Sequence, residues 1–321
     1  MNARAILLLV LALIVGVTWV FAFVSKRFEK VLSGVADLEP RRFETLTVIT
    51  VGTGGTFENQ WRLGPSTAVA KGDEVLLVDA GRGVAGALRA AEIPVHQPNT
   101  VLLTSLIPEN TVGLDDLILT GWISLRTEPL RVMGPPGTRA ALEALLRAHR
   151  SGIEATAAEW GAPREIAEVQ VVELEDGAEF EVAELAIRVA ELPGGAFPAL
   201  AYRIEADGRS VVLASVGFAR EALVAFASGA DLLVHEAVYG ASLAAALEAV
   251  EADRADILRR EAESHARLET IGSLAREMGV GTLVLTRLRP PPVYDFQYEN
   301  IVREDFGGRV VIADDGDEIT P

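Results

Sequence analysis

Glu74-Val75-Leu76-Leu77-Val78-Asp79-Ala80-Gly81-Arg82-Gly83 is the stretch that decides the fold. Its first five residues are rich in apolar side chains and read as a buried strand, which the aspartate and glycines then end in a turn. Before it, a strand over 46–51 ends on its own glycine turn, Val51-Gly52-Thr53-Gly54-Gly55. That turn is not a nucleotide loop, because no Lys-Ser/Thr pair follows and no helix opens directly after it. Residues 84–91 read as a helix, 99–104 and 130–133 as buried strands, and 138–149 as a helix with an apolar stripe at Leu142, Leu145 and Leu146. The second half repeats the style. Strands are expected over 170–174, 186–190, 200–204, 210–214, 231–234, 282–286 and 310–313, and helices over 219–227, 241–263 and 268–278. Strands and helices alternating in two halves imply an α/β sandwich of two sheets with helices outside.

Ahead of this lies a different kind of segment. Ala5 to Val24 is twenty residues without a charge, enough to cross a bilayer core as a helix. We read 1–25 as a transmembrane signal-anchor, 26–43 as a charged juxtamembrane linker and 44–321 as the folded domain. Val20 and Ala22 also fit the small-residue positions before a cleavage site, which leaves a cleaved signal as the alternative. Lys26, Arg27 and Lys30 follow the span and only Arg4 precedes it. By the positive-inside count the domain stays cytoplasmic. The layout of a short basic head, an apolar run and a large domain is that of an export signal, and the domain is expected on the extracytoplasmic side. The net charge of −17 repels phosphate backbones, so no nucleic-acid partner is expected. The chain has no cysteine, which excludes disulfides and thiolate metal sites.

Several motifs fall in a definite order: Gly52 to Gly55, Asp79-Ala80-Gly81, Gly113-Leu114-Asp115-Asp116-Leu117, and Met133-Gly134-Pro135-Pro136-Gly137-Thr138. Leu232-Leu233-Val234-His235-Glu236-Ala237, Ser264-His265-Ala266 and Leu283-Val284-Leu285-Thr286 follow. Together they resemble the metallo-β-lactamase superfamily, in its ribonuclease Z and arylsulfatase branch, over nearly all of the chain from Glu44. The resemblance implies a four-layer αββα sandwich. It also implies that Asp79 matches a residue steadying a metal-binding histidine. Family chemistry rests on a His-x-His-x-Asp-His loop, three further ligands and two metal ions, with imidazoles and carboxylates suiting zinc.

Here the loop after the strand is Ser105-Leu106-Ile107-Pro108-Glu109-Asn110. The histidine positions hold Ser105, Ile107 and Asn110, and the aspartate position holds Glu109. Glu191 stands where a histidine precedes the strand marked by Tyr202 and Ile204. Ser215-Val216-Gly217 replaces Ser-Gly-Asp, so Gly217 takes the place of the bridging aspartate, and Arg287 follows Leu285-Thr286 where a histidine belongs. The four histidines, His96, His149, His235 and His265, all fall outside these ligand positions. A dinuclear zinc site is therefore not expected, and no cofactor with it. Arg287 is expected to pair with Glu109 or Glu191, since guanidinium meets carboxylate as a two-pronged donor; the bland alternative leaves all three solvated.

Glu236 and His265 match residues that the family uses to protonate the leaving group, although Val238 and Ala266-Arg267 replace the accompanying hydroxyl residues. A purely structural tie between loops weighs against residual acid–base catalysis here. His96 and His149 read as surface residues. The acidic run 248–263 reads as a solvated helix face with pairs such as Glu251 and Arg254. Trp61 and Trp122 read as core packing, with the cleft mouth as the other option. The leading functional expectation is a membrane-anchored pseudoenzyme that binds a small anionic or ester-like ligand or an envelope protein. A hydrolase of phosphodiesters or sulfate esters, holding one hard cation with Glu109, Glu191 and Asp79, is the alternative. An inert envelope scaffold is the third reading.

Overall fold

Val75 and Leu77 turn to one face of their strand while Leu76 and Val78 turn to the other, and both faces are buried. Strand geometry dictates this alternation, and a strand apolar on both faces must lie between two layers. The computed structural model describes residues 3–35, 38–56, 60–124, 126–194, 197–215, 220–248 and 250–321. In chain order the strands are β1 (Phe43–Gly52), β2 (Ser66–Gly72), β3 (Glu74–Val78), β4 (Thr100–Leu102), β5 (Leu130–Gly134), β6 (Val169–Glu173) and β7 (Glu179–Val182). They continue as β8 (Leu185–Glu191), β9 (Leu200–Ala206), β10 (Arg209–Leu213), β11 (Leu232–Val238), β12 (Thr282–Arg289), β13 (Arg309–Ile312) and β14 (Asp317–Ile319). One sheet runs β14-β1-β2-β3-β4-β5-β6 and the other β13-β12-β11-β10-β9-β8-β7.

Leu46, Val48, Leu76, Val78 and Leu102 from the first sheet meet Ile187, Val189, Tyr202, Ile204, Val211 and Val284 from the second, forming the central layer of the core. Outside the first sheet, Leu77 and Val101 pack on Leu88 and Leu117 of the helices Val84–Ala90 and Leu114–Ile123. Outside the second, Leu233 and Leu283 pack on Ile271 and Leu274 of the helix Leu268–Met278. Helix, sheet, sheet and helix give the expected four-layer αββα sandwich.

Small residues bring the loops at one end of the sandwich together. A Cβ on Gly64 would stand 2.1 Å from the Arg82 nitrogen, and one on Gly113 would stand 2.0 Å from the Gly81 oxygen. A Cβ on Gly81 would meet the Gly64 carbonyl carbon at 2.5 Å. All of these neighbours are backbone and cannot swing away. Gly81→Ala should therefore cost about 3 kcal/mol, the upper part of the range for overpacking, read as a fall in the urea midpoint. An unchanged midpoint would show that the loops do not approach so closely.

The structure corrects some expectations. The helix expected over 241–263 is two, Gly240–Leu247 and Ala252–Glu263. Asp253 sits in the first turn of the second helix, where a carboxylate favours a helix start. An ion pair on that helix joins Asp256 to Arg259. Among the described residues, three strands, β2, β7 and β14, the helices Pro108–Thr111, Leu114–Ile123 and Asp295–Arg303, and a 3-10 turn, Arg164–Ala167, add to those read from the sequence.

Residues Met1–Glu39 form a separate unit from Pro40–Pro321. Its helix, Ala3–Val35, runs on through the basic residues after the apolar span. Within it, Leu11–Phe28 is long and apolar enough to cross a membrane by length and composition.

Candidate functional site

Pairing between β11 and β12 is regular from Leu232↔Thr282 to Glu236↔Thr286, and resumes at Val238↔Arg289. Two steps along β11 thus face three along β12, which is a β-bulge at Arg287. Arg287 has φ +51°, a left-handed conformation uncommon for a residue with a side chain. The extra residue shifts the alternation, so Leu288 joins the helix-side core. Arg287 and Arg289 are both buried at the end of the strand.

The Arg287 guanidinium is held on several sides. Its Nη2 donates to Asp79 Oδ2 at 2.5 Å, and its Nη1 donates to Asn110 Oδ1 at 2.9 Å and to Ser215 Oγ at 2.7 Å. Asp79, like Arg287, has positive φ, +61°. The Thr104 backbone and hydroxyl also donate to its carboxylate. Burial pushes the Asp79 carboxyl above its usual range, and Arg287 and Thr104 pull it part of the way back. Asn110 donates from Nδ2 to Thr104 Oγ1 and to Ser105 Oγ, both at 2.9 Å.

Arg289 makes the second half of the cluster. Its Nη2 donates to Glu109 Oε2 at 2.9 Å, and its Nη1 lies 3.5 Å from Glu236 Oε2 and donates to the Arg287 carbonyl at 2.9 Å. Thr56 also donates to Glu109. The other Glu109 oxygen, Oε1, is buried and lies 3.6 Å from Arg287 Nη1, too long for a hydrogen bond. Gly55 lies flat against the Arg289 guanidinium, where a Cβ would come within 3.1 Å of its central carbon.

Glu236 Oε1 lies 2.7 Å from His265 Nδ1, with both side chains almost fully buried. Burial raises the Glu236 carboxyl, but His265, Arg289 and Arg287 outweigh it and bring it down to about 2. His235 is also buried; its Nδ1 lies 2.8 Å from the Glu236 carbonyl oxygen, and desolvation holds its imidazole below the usual value.

The fold therefore brings together Asp79, Ser105, Glu109, Asn110, Arg287, Glu236 and His265. Ile107 stands at the N-cap position of the short helix Pro108–Thr111 beside them, with no side-chain cap bond. Gly217 lies outside the described residues. Glu191 is a correction: it is exposed at the end of β8, where its backbone amide donates to Asp176 Oδ1, and it is no partner of Arg287. β8 buries Leu185, Ile187 and Val189 in alternation, and at Glu191 it runs out into solvent. Arg287 pairs most closely with Asp79, while Glu109 is held by Arg289. Arg289, Thr104 and Thr56 are not marked by the sequence motifs. The available signal was an Arg-x-Arg ending a strand otherwise read as buried. Among the other marked residues, His149 contacts Asp115 at the surface and His96 is half-buried. Trp122 is core, its Nε1 donating to the Pro163 carbonyl, but Trp61 is 79% exposed and so not core.

These residues do not fit a pair of zinc ions. Zinc takes thiolate, imidazole or carboxylate donors converging with free lone pairs. Here a guanidinium, which has only N–H donors and a fixed positive charge, occupies the space between Asp79, Asn110 and Ser215. Among the described residues no group of three or more histidines and carboxylates could hold a metal ion.

The comparisons with known proteins agree with this architecture. A family model described as a beta-lactamase superfamily domain matches residues 75–286. A ribonuclease Z of Mycobacterium marinum (strain ATCC BAA-535 / M) is 31% identical over 287 residues, covering 84% of this chain and 96% of the relative. One from Mycobacterium avium (strain 104) is 33% identical over 276 residues, with the same coverage of each chain. Among solved structures, the metallo-β-lactamase fold protein YhfI from Bacillus subtilis superposes with a TM-score of 0.66 at 18% identity, over 85% of this chain and 98% of its own. The short form of human tRNase Z gives 0.62 at 18% identity, over 86% and 99%. The chain belongs to the metallo-β-lactamase superfamily, in its ribonuclease Z-like branch.

Proposed function

We propose that this chain is a non-hydrolytic member of its family, a membrane-tethered protein that uses the fold to bind rather than to cleave. The observation that carries the reading is Arg287, bonded at once to Asp79, Asn110 and Ser215 where the resemblance places a metal ligand. A metal-activated hydroxide is the family's nucleophile, and the Ser215 and Ser105 hydroxyls in this cluster are instead bonded to Arg287 and Asn110. The Glu236–His265 pair is then a structural tie between β11 and the loop before the helix Leu268–Met278. The apolar helix supplies the tether, with the domain on the extracytoplasmic side. Retention of the protein in membranes after a high-salt wash checks the tether.

A second reading is a phosphodiesterase-type hydrolase with a single hard cation, and the comparisons weigh towards it, because the curated relatives are ribonucleases Z. Two features of the site also favour it. Among the described residues no hydrogen-bond donor reaches Glu109 Oε1, a buried carboxylate oxygen, and the residues matching the family's acid–base pair lie 2.7 Å apart. Arg287, 3.6 Å from that oxygen, opposes a cation there.

Metal analysis of the purified full chain, with turnover of bis-para-nitrophenyl phosphate, separates the two. The proposal expects no stoichiometric metal and no turnover above a Glu109→Ala control. Bound metal together with turnover lost in Glu109→Ala would overturn it.

A further inference from the structure

Beyond the cluster, the chain leaves β12 through Pro290-Pro291-Pro292 and enters the helix Asp295–Arg303. Tyr298 fastens this segment to the body: its hydroxyl donates to the Pro290 carbonyl at 2.8 Å and its ring meets Tyr239 edge-on. The residues between point the other way. Val293 is 81% exposed, Tyr294 59% and Phe296 58%, and the last two rings stack with centroids 5.7 Å apart. Proline fixes φ, so these side chains are presented by a stiff segment, and a partner would lose little entropy in engaging them. Large exposed aromatics held rigidly are the kind of side chain that anchors protein interfaces.

The surroundings of the knob are acidic. Asp295 stands between Tyr294 and Phe296, and its carboxyl is pushed up by burial and by the nearby Asp314, with Asp317 and Glu299 adding to the effect. Arg62 opposes the shift and is bound to Asp314 at 2.6 Å, and Arg303 is bound to Glu299 at 2.7 Å, so these four carboxylates outnumber the two guanidinium groups that neutralise them. A surface that crowds carboxylates around apolar rings is complementary to cations carried on an apolar segment, and aromatic faces attract the same cations.

We propose that Val293, Tyr294 and Phe296 form a docking knob for a partner protein segment that is both apolar and rich in lysine or arginine. This deepens the binding reading above by naming the partner's chemistry. It also places the docked segment a few residues along the chain from Arg289, whose guanidinium holds Glu109 in the buried cluster.

The test is site-specific photo-crosslinking in cells making the full chain, with para-benzoylphenylalanine at Val293 and, as a control of comparable exposure, at Trp160. Adducts are identified by sequencing the crosslinked peptide. The expected result is one predominant protein adduct at position 293, absent from position 160, on a peptide with basic residues flanking apolar ones. Tyr294→Ser with Phe296→Ser should cut that adduct about tenfold, and Asp295→Asn about threefold, with the thermal midpoint unchanged. An adduct on lipid, on a second copy of this chain or on an acidic segment would overturn the proposal, as would adducts no stronger than those from position 160. Metal content and diester turnover are measured separately, so a failure of the docking knob leaves the non-hydrolytic reading standing.

Discussion

Arg287→Ala should destabilise the domain by about 4 kcal/mol, because removing one member of a buried ion pair leaves the other charge without compensation. For a domain of this size that is a fall in Tm of about 10 °C. Three acceptors lose their donor together: Asp79, Asn110 and Ser215. The loss should depend on pH in a particular direction. Asp79 already binds its proton more readily in the folded state than its usual value of 3.8, so the stability it contributes falls as pH rises through its folded value. Without Arg287, a group that lowers that value, the folded value climbs further and the window extends upward. Urea midpoints of the variant should therefore approach wild type in acid and fall away towards alkaline pH. Asp79→Asn in the Arg287→Ala background should recover part of the loss. A penalty independent of pH would mean that Asp79 is not the group left exposed to desolvation.

Glu236 is the second large effect, and its sign is opposite. Its carboxyl is brought from the ordinary 4.5 down to about 2 in the folded state. The stability from its ionisation is fully present above about 4.5 and is lost as pH falls towards about 2. Glu236→Gln keeps the shape but removes the negative charge 2.7 Å from His265 Nδ1 and 3.5 Å from Arg289 Nη1, at a cost of about 3 kcal/mol near neutrality. The acid-side slope of stability against pH should flatten in the variant. Denaturation curves collected across that acid range check both statements, and a variant as acid-sensitive as wild type would place the effect elsewhere.

Much of the sandwich was legible because apolar residues alternate or run continuously where sheets are buried, as in β3 and β11. β2 escaped because Ser66-Thr67-Ala68-Val69-Ala70-Lys71-Gly72 carries small side chains, with little apolar bulk to mark a strand. At the site, Asp79, Ser105, Glu109, Asn110 and Arg287 were placed by motif order, and the fold does bring them together. Glu191 was misplaced because motif order cannot tell where a strand leaves the core. Arg289 was missed for a different reason. Its position depends on the bulge at Arg287, and one extra residue in a ladder leaves no mark on hydrophobic periodicity. Buried arginines require partners, so the pair closing β12 could have been read as the far side of a carboxylate cluster.

Arg287 and Arg289 fill the buried cluster with their guanidinium groups, and equilibrium unfolding of the full chain with added zinc and then with a chelator tests most directly whether a metal binds there. A ligand that binds the folded state raises its stability in proportion to the logarithm of its concentration. We predict identical unfolding midpoints in both conditions. A midpoint that rises with zinc, returns with chelator and no longer responds in Glu109→Ala would contradict the proposal that this cleft binds no metal.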